Sequence, residues 1–516
     1  MNLFLKKNYI TLIYIVVLSI TILSIYFGFR HSIYNQDYHH LFFILSALID
    51  FDNGYKLFKD IFLQYGPGQI IFFKSISYFI DLNIVTLSQI TTLVYSLNIL
   101  LLFFLFKKTS NIESAFSLVI IIFLIHPFSI LPWPDYLSGI SLTLFFLFFL
   151  NNNSKYNLIL SAFFLFLAIF FRSTYILNIT FSILIYFFLF RYHKEKNILK
   201  NLFLTFIFLF FIFFLVLSYF NVVSNWFNQS IMFITSYAEE TKHLELYEKV
   251  TSYVGEYGFI VLKIFYYAIR STLNLFNISN FENIIFVFFI IINFIYLFQT
   301  LKNRMKVSDY EKKIVFLSIL GLSGFVQSLM LMEVFRNINA TIGIFLVGLF
   351  FFNKKINFDI NNHKKKIYAL VIIYGLILLK NFPNVIYDDR NYTYLDNHYF
   401  KNKRILPEIK KYYSELNNFI CKDENIIIAN ISWDYAIPYI CNKKNLKNNY
   451  SHAIRFLKKI NKNEHKRIFI DADLKNNEYI FTDMLIENPK LKLIRKFESP
   501  LTPKDWYHDI NVYKLK

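Results

Sequence analysis

The residues of this chain best suited to chemistry stand directly after its first long apolar run. The stretch 30–68, RHSIYNQDYHHLFFILSALIDFDNGYKLFKDIFLQYGPG, gathers acids, histidines and turn formers where a first membrane span should end. Its two salient acids are Asp37, followed by Tyr38, His39 and His40, and Asp60. A carboxylate at a membrane surface is costly unless it is hydrated, paired or used. In use, it could take a proton from an incoming hydroxyl. Further along, Arg172 (FFRSTY), Arg270 (AIRSTL) and Arg336 (MEVFRNINA) fall at the outward ends of apolar runs. There the planar donor fork of a guanidinium suits a phosphate. Each residue also has a plainer reading. Asp37 reads equally as a solvated loop acid, Arg172 as an interfacial snorkeller, Arg336 as the ion partner of Glu333, and the histidine pair as ordinary surface residues.

The elements that must position these groups follow from composition. With 516 residues, 56% hydrophobic content, 64 Phe and only 17% charged residues, the chain is too apolar for a soluble globule and reads as a polytopic membrane protein. In so aromatic a chain, stripes of Phe are core rather than cofactor boxes. The formal charge of +19 raises nucleic acid as a partner, but basic residues of membrane proteins concentrate in cytoplasmic loops, so their position decides the matter.

A span needs about 20 apolar residues, and runs approaching that length predict about eleven: 9–29, 85–106, 114–131, 137–150, 158–171, 174–190, 202–220, 281–298, 314–332, 338–352 and 367–382. Lys6 and Lys7 ahead of the first argue for a cytoplasmic N-terminus, and that run has no small-residue cleavage site of a secretory leader. Loops 30–84 and 221–280 then face outward, with 38–48, 69–80 and 258–276 as short helices lying along the interface. On this count the short basic loops all face the cytoplasm, which accounts for much of the net charge without nucleic acid. The turn HPFSILPWPDY at 126–136 carries three prolines and the further site candidate Asp135.

Residues 385–516 read as a small extracytoplasmic α/β domain. An amphipathic helix is expected over 404–420, and NIIIAN, RIFIDA, LKLIRKF and INVYKL read as strands. Both cysteines of the chain, Cys421 and Cys441, lie here; they fit a disulfide in an oxidising compartment or two unrelated buried thiols. Trp433, Asp434 and Trp506 are candidates for a sugar platform or for core.

The order of a first span, an outward Asp-Tyr (Asp37, Tyr38), the segment Gly54-Tyr55-Lys56-Leu57-Phe58-Lys59-Asp60, and Tyr65-Gly66-Pro67 resembles the GT-C superfamily of integral membrane glycosyltransferases. It is most similar to the group of protein O-mannosyltransferases and lipid A aminoarabinose transferases. The Pro-Trp-Pro-Asp-Tyr turn at 132–136 and the span end at Arg172 also sit where that group has loop features. The likeness covers about 1–350 in layout and 30–80 in motif. It implies a mainly α fold: a polytopic transmembrane helical bundle over 1–384, with interfacial helices in the first outward loop, followed by the C-terminal domain. It implies a polyprenyl-phosphate sugar donor, a glycan, lipid or protein acceptor, a place in the cytoplasmic (inner) membrane, and Asp37 as catalytic base. Arg336, Arg172 and Arg270 are then the candidates for the donor phosphate, with Tyr38, Tyr65 and Asp135 as further site residues. The family's acidic pair is not doubled here, since Tyr38, His39 and His40 follow Asp37. A second polar function is thereby left to Asp60 or a histidine, and a divalent metal is left open.

Two other classes compete. An envelope polysaccharide polymerase or ligase would work from loop 221–280, with His243 and Arg270. A transporter would show repeat-related halves and broken, polar helices at mid-membrane; no internal repeat is evident.

Overall fold

The computed structural model describes residues 2–151, 154–190, 197–232, 281–302, 307–325, 334–355, 386–422, 427–430, 432–441, 478–483, 489–502 and 509–516, with residues 252, 253, 255, 369, 372, 375, 376 and 486. The chain is a multi-pass membrane protein and mainly helical. Helices α1 (Asn2–Tyr34), α4 (Ile84–Thr109), α9 (Asn197–Tyr219) and α11 (Phe281–Lys302) contain the four stretches long and apolar enough to cross a membrane among the described residues. Between them stand shorter apolar helices: α5 (Ile112–Ile125), α6 (Pro134–Phe149), α7 (Lys155–Phe171), α8 (Tyr175–Phe190) and α14 (Ile342–Lys355). At about 1.5 Å per residue, such helices fall short of the roughly 30 Å hydrocarbon core. They pack among their neighbours: α6 on α7 and α4, α7 on α9, α9 on the one-turn α10 (Val223–Trp226), and α12 (Asp309–Ser323) on α8 and α14.

The expected span 338–352 is divided at Thr341 into α13 (Val334–Ala340) and α14; the Thr341 hydroxyl donates back to the Asn337 carbonyl. The run 114–131 ends as helix at Ile125, because residues 126–133 run on as turn and coil through Pro127 and Pro132. The expected span 367–382 and interfacial stretch 258–276 lie outside the described residues, apart from the isolated positions.

Both short helices expected in the first loop are present, as α2 (Tyr38–Asp52) and α3 (Gly68–Ser77). Instead of lying bare at the interface, α2 is buried on nearly every side. What covers it is the C-terminal region. One hydrophobic cluster fills the membrane bundle, with Phe103, Phe145, Phe316 and Phe345 at its centre. A second is shared by the first loop and the tail, where Tyr38 and Phe42 meet Phe400, Tyr413 and Tyr439.

In the tail, α15 (Pro407–Ile420) turns Ile409, Tyr412, Tyr413, Leu416 and Ile420 inward at helical spacing. It begins at Pro407, three residues later than expected, because Lys403, Arg404 and Ile405 are bonded elsewhere. Strands β1 (Ile427–Asn430), β2 (Glu478–Thr482), β3 (Leu491–Phe497) and β4 (Ile510–Leu515) form a sheet in the order β1-β2-β4-β3, parallel only between β1 and β2. NIIIAN, LKLIRKF and INVYKL supply three of these strands. RIFIDA lies outside the described residues, and β2 (EYIFT) escaped the sequence reading. A disulfide joins Cys421 to Cys441.

Candidate active site

The C-terminal end of a helix leaves carbonyls without helical partners, and at α1 the tail supplies the donors. The Lys403 ammonium donates to the Ser32 carbonyl at 2.7 Å and the Arg404 amide to that of Ile33 at 2.9 Å. The Gln36 amide reaches both Tyr34 and Arg404 carbonyls. Three residues later the chain re-enters helix, and Asp37 is the N-cap of α2. Its carboxylate accepts from the His40 amide at 3.2 Å and from His40 Nδ1 at 2.5 Å. The Asp37 side chain is 30% exposed and that of His40 14%. Burial pushes the Asp37 carboxyl upward, but the hydrogen bonds and charge of His40 outweigh it and hold the group below the usual carboxylate range.

His40 turns its ring onto Trp133, with ring centres 4.8 Å apart. Trp133 is where the candidate residues meet. Tyr65 lies edge-on to it at 5.7 Å, and the Arg336 guanidinium stands 5.4 Å from the ring centre. The indole packs against both hydrophobic clusters, so the site lies on the seam between the membrane bundle and the loop–tail unit.

The Tyr65-Gly66-Pro67-Gly68 segment does more than turn the chain. The Tyr65 carbonyl accepts from the Ser173 amide at 2.8 Å. A Cβ on Gly66 would come within 2.6 Å of the Phe170 carbonyl oxygen, so glycine is required for this backbone-to-backbone approach. The same contact fixes the end of α7, where Arg172 stands 5.7 Å from the Tyr65 ring and forms an ion pair with Asp135. Both charges are sealed: Arg172 is 3% exposed and Asp135 0%. Arg172 is thus a buried ion-pair member and not a snorkeller.

Asp37, His40, Tyr65, Asp135, Arg172 and Arg336 therefore form one connected cluster around Trp133. Tyr38 is buried, its hydroxyl donating to the Gln36 side chain. His39 faces the tail, its Nδ1 3.0 Å from the Trp433 carbonyl oxygen and its ring against Trp433 and Tyr435. Asp60 is not in the cluster; its carboxylate accepts from the Lys56 amide at 2.9 Å and holds a local turn. Asp434 is core, accepting from the Tyr412 hydroxyl at 3.0 Å, the Tyr413 hydroxyl at 3.3 Å and the Ala436 amide at 3.1 Å, and burial pushes its carboxyl up to about 6. Trp433 is half-buried. Arg270, His243, Glu333 and Trp506 lie outside the described residues.

Two residues escaped the sequence reading. Trp133 was visible only as part of the Pro-Trp-Pro turn. Lys403 had no signal at all, yet it is fully buried, and burial drives its ammonium down to about 7 despite the nearby Asp37. Among the described residues no three His, Cys, Asp or Glu side chains gather as metal ligands.

No protein-family model and no curated protein matches the chain. Among solved structures, the chain is similar to the archaeal oligosaccharyltransferase AglB from Archaeoglobus fulgidus in complex with an inhibitory peptide and a dolichol-phosphate, at 12% identity and a TM-score of 0.49, over 90% of this chain and 69% of that one. It is similar also to the Archaeoglobus fulgidus oligosaccharyltransferase in complex with Zn and sulfate, at 13% identity and a TM-score of 0.49, over 91% and 68%. Likeness of this size carries no residue and no activity from those chains to this one.

Proposed function

We propose that this chain is a membrane glycosyltransferase that moves a sugar from a polyprenyl-phosphate-linked donor to a hydroxyl of a cell-envelope glycan, lipid or protein, on the outer face of the cytoplasmic membrane. The observation that carries the reading is the Trp133 ring, against which lie both the Asp37-bound imidazole of His40 and the guanidinium of Arg336. Base and cation are the two groups this chemistry asks for.

In the proposed step the acceptor oxygen bonds to the anomeric carbon as the bond from that carbon to the phosphate oxygen breaks. The acceptor proton passes to Asp37, ionised because its carboxyl is held low. The electron pair leaves with the phosphate, whose developing charge faces Arg336. Arg172, already neutralised by Asp135, serves in this reading to hold Tyr65 and the Gly66 contact in place. The outward orientation is supported by the disulfide, which suits an oxidising compartment, in a tail that packs on the loop carrying Asp37.

The test is to offer radiolabelled polyprenyl-phosphate sugars, with acceptor membranes, to the purified full-length chain in lipid nanodiscs. Transfer that disappears in Asp37→Asn supports the reading. Turnover with a soluble nucleotide sugar as sole donor, or unimpaired transfer by Asp37→Asn, overturns it.

A further inference from the structure

Away from Trp133, the first loop carries a second built feature. The turn 56–61 is closed by the Asp60 and Ile61 amides on the Lys56 carbonyl, at 2.9 and 3.1 Å, and by the Phe58 amide on the Ile61 carbonyl at 2.9 Å. At its tip Phe58 adopts φ +65°, a conformation that non-glycine residues rarely take and that surroundings must impose. Those surroundings are specific. The Phe58 ring is buried, the Gln229 amide donates to the Phe58 carbonyl at 2.8 Å, and the same side chain accepts from the Leu63 amide at 3.0 Å.

The turn presents Lys56 and Lys59, both exposed, to a cleft of about 420 Å³ whose other walls are Tyr219, Phe220, Asn221 and Asn225. Among the described residues no carboxylate forms an ion pair with either ammonium; Asp60, the acid of the turn, is occupied by the Lys56 amide. Tyr219 and Phe220 are 81% and 55% exposed at the end of α9, a helix long and apolar enough to cross a membrane that leaves Ile207, Phe208 and Phe211 exposed along its length. Exposed aromatic rings at the end of a span mark the level of lipid headgroups. A cleft within the size range of small-ligand sites, with two cations on one wall, amides beside them and aromatic rings running toward the bilayer, has the chemistry of a phosphate headgroup whose chain stays in the membrane.

We propose that this cleft binds the phosphate of an anionic membrane lipid: Lys56 and Lys59 take the phosphate oxygens, Asn221 and Asn225 the neighbouring ester or hydroxyl groups, and Tyr219 and Phe220 lie along the chain. The site stands independently of what Asp37 does. Its ligand is either a bulk glycerophospholipid or a polyprenyl phosphate, which share this chemistry.

The experiment measures fluorescence anisotropy of headgroup-labelled phosphatidylglycerol on the purified full-length chain in zwitterionic detergent. The Lys56→Gln/Lys59→Gln double variant should bind about thirtyfold more weakly, and Lys56→Arg/Lys59→Arg should restore binding. Competition assigns the source. Displacement by polyprenyl phosphate at far lower concentration than by unlabelled phosphatidylglycerol names the carrier lipid, and displacement by the two at equal concentration names any lipid phosphate. Equal binding by the Gln double variant, with unchanged melting and gel-filtration profile, overturns the proposal. So does displacement by phosphatidylcholine as effective as by phosphatidylglycerol, or displacement by millimolar inorganic phosphate as effective as by either anionic lipid.

Discussion

Asp37 and Asp135 are both aspartates at the start of a helix, and both hold a basic partner, yet they sit in opposite circumstances. Asp37 caps α2 with a side chain 30% exposed and is bonded to an imidazole. Asp135 lies in the first turn of α6, is 0% exposed, and is paired with a guanidinium at the end of α7. The first pair is open to water and can therefore meet a reactant, while the second is a sealed, neutral clamp. It also sets an acid at a helix start and a base at a helix end, the arrangement that helix dipoles favour. Residue type is the same in the two places; what differs is access to water and the kind of partner.

The sharpest way to break this comparison is to neutralise each acid in turn. Asparagine caps a helix about as well as aspartate, so Asp37→Asn should keep its melting temperature while transfer falls by about 10²–10⁴-fold. Asp135→Asn should do the reverse, leaving Arg172 buried without its counter-charge and destabilising the fold by about 3–5 kcal/mol. Thermal unfolding in nanodiscs and the transfer assay read both. If Asp37→Asn melts as early as Asp135→Asn, Asp37 is scaffold and the contrast is lost.

The disulfide tests how far the open pair depends on the tail. Cys421 ends α15, and Cys441 ends the segment that carries Trp433, against which His39 packs, and Tyr439, whose hydroxyl donates to Asp50 of α2. With the bonded cysteines 20 positions apart, the bond is expected to contribute about 3 kcal/mol. Cys421→Ser/Cys441→Ser should lower the unfolding free energy of the loop–tail unit by that amount. It should expose the α2 amides to hydrogen exchange more than those of α6 and α7, where the sealed pair sits.

Much of this arrangement is legible in the sequence because its signals are local. Asp37, His40 and Tyr65 lie in one polar stretch between apolar runs, Trp133 and Asp135 in one proline-framed turn, and Arg172 at an apolar run's end. Relations across space are not legible. Nothing in FFRSTY shows that Arg172 will find Asp135, and nothing in the tail shows that Lys403 will reach the Ser32 carbonyl, 371 positions away. Helical and strand periods report only which face of an element is apolar, so α2 was expected at a lipid interface when its apolar surface is met by the tail. The length rule for spans says as little about α5 to α8, which are apolar but only 14 to 17 residues long. The five-residue strand β2 is too short for alternation to stand out.

His40 sharpens the comparison from the other side. Burial alone would raise the Asp37 carboxyl, and His40 reverses that. His40→Gln should therefore let the pKa of Asp37 climb, moving the acid limb of the pH–rate profile to higher pH. At neutral pH the rate should fall by about tenfold, the scale of one charge-assisted hydrogen bond. A profile whose acid limb stays in place would show that the limb belongs to some other group than the Asp37–His40 pair.

The gentlest probe is pH itself, acting on the two buried charges behind the open pair. Lys403 has its pKa near 7 in the fold against 10.5 when exposed, so between those values the unfolded chain holds more protons and stability should rise with pH. Asp434 runs the other way. Its carboxyl stands near 6 against 3.8, the folded chain holds more protons between the two, and stability should fall as pH rises through that window. Each limb is limited to about 1.4 kcal/mol per pH unit, and together they place a shallow trough between pH 6 and 7 in the stability of the loop–tail unit. Asp434→Asn should flatten the acid limb alone and Lys403→Met the alkaline limb alone, measured as melting temperature from pH 4 to 9. A trough that survives both substitutions would mean that these charges are answered by water, and the tail would then be a looser cover over Asp37 than its packing implies.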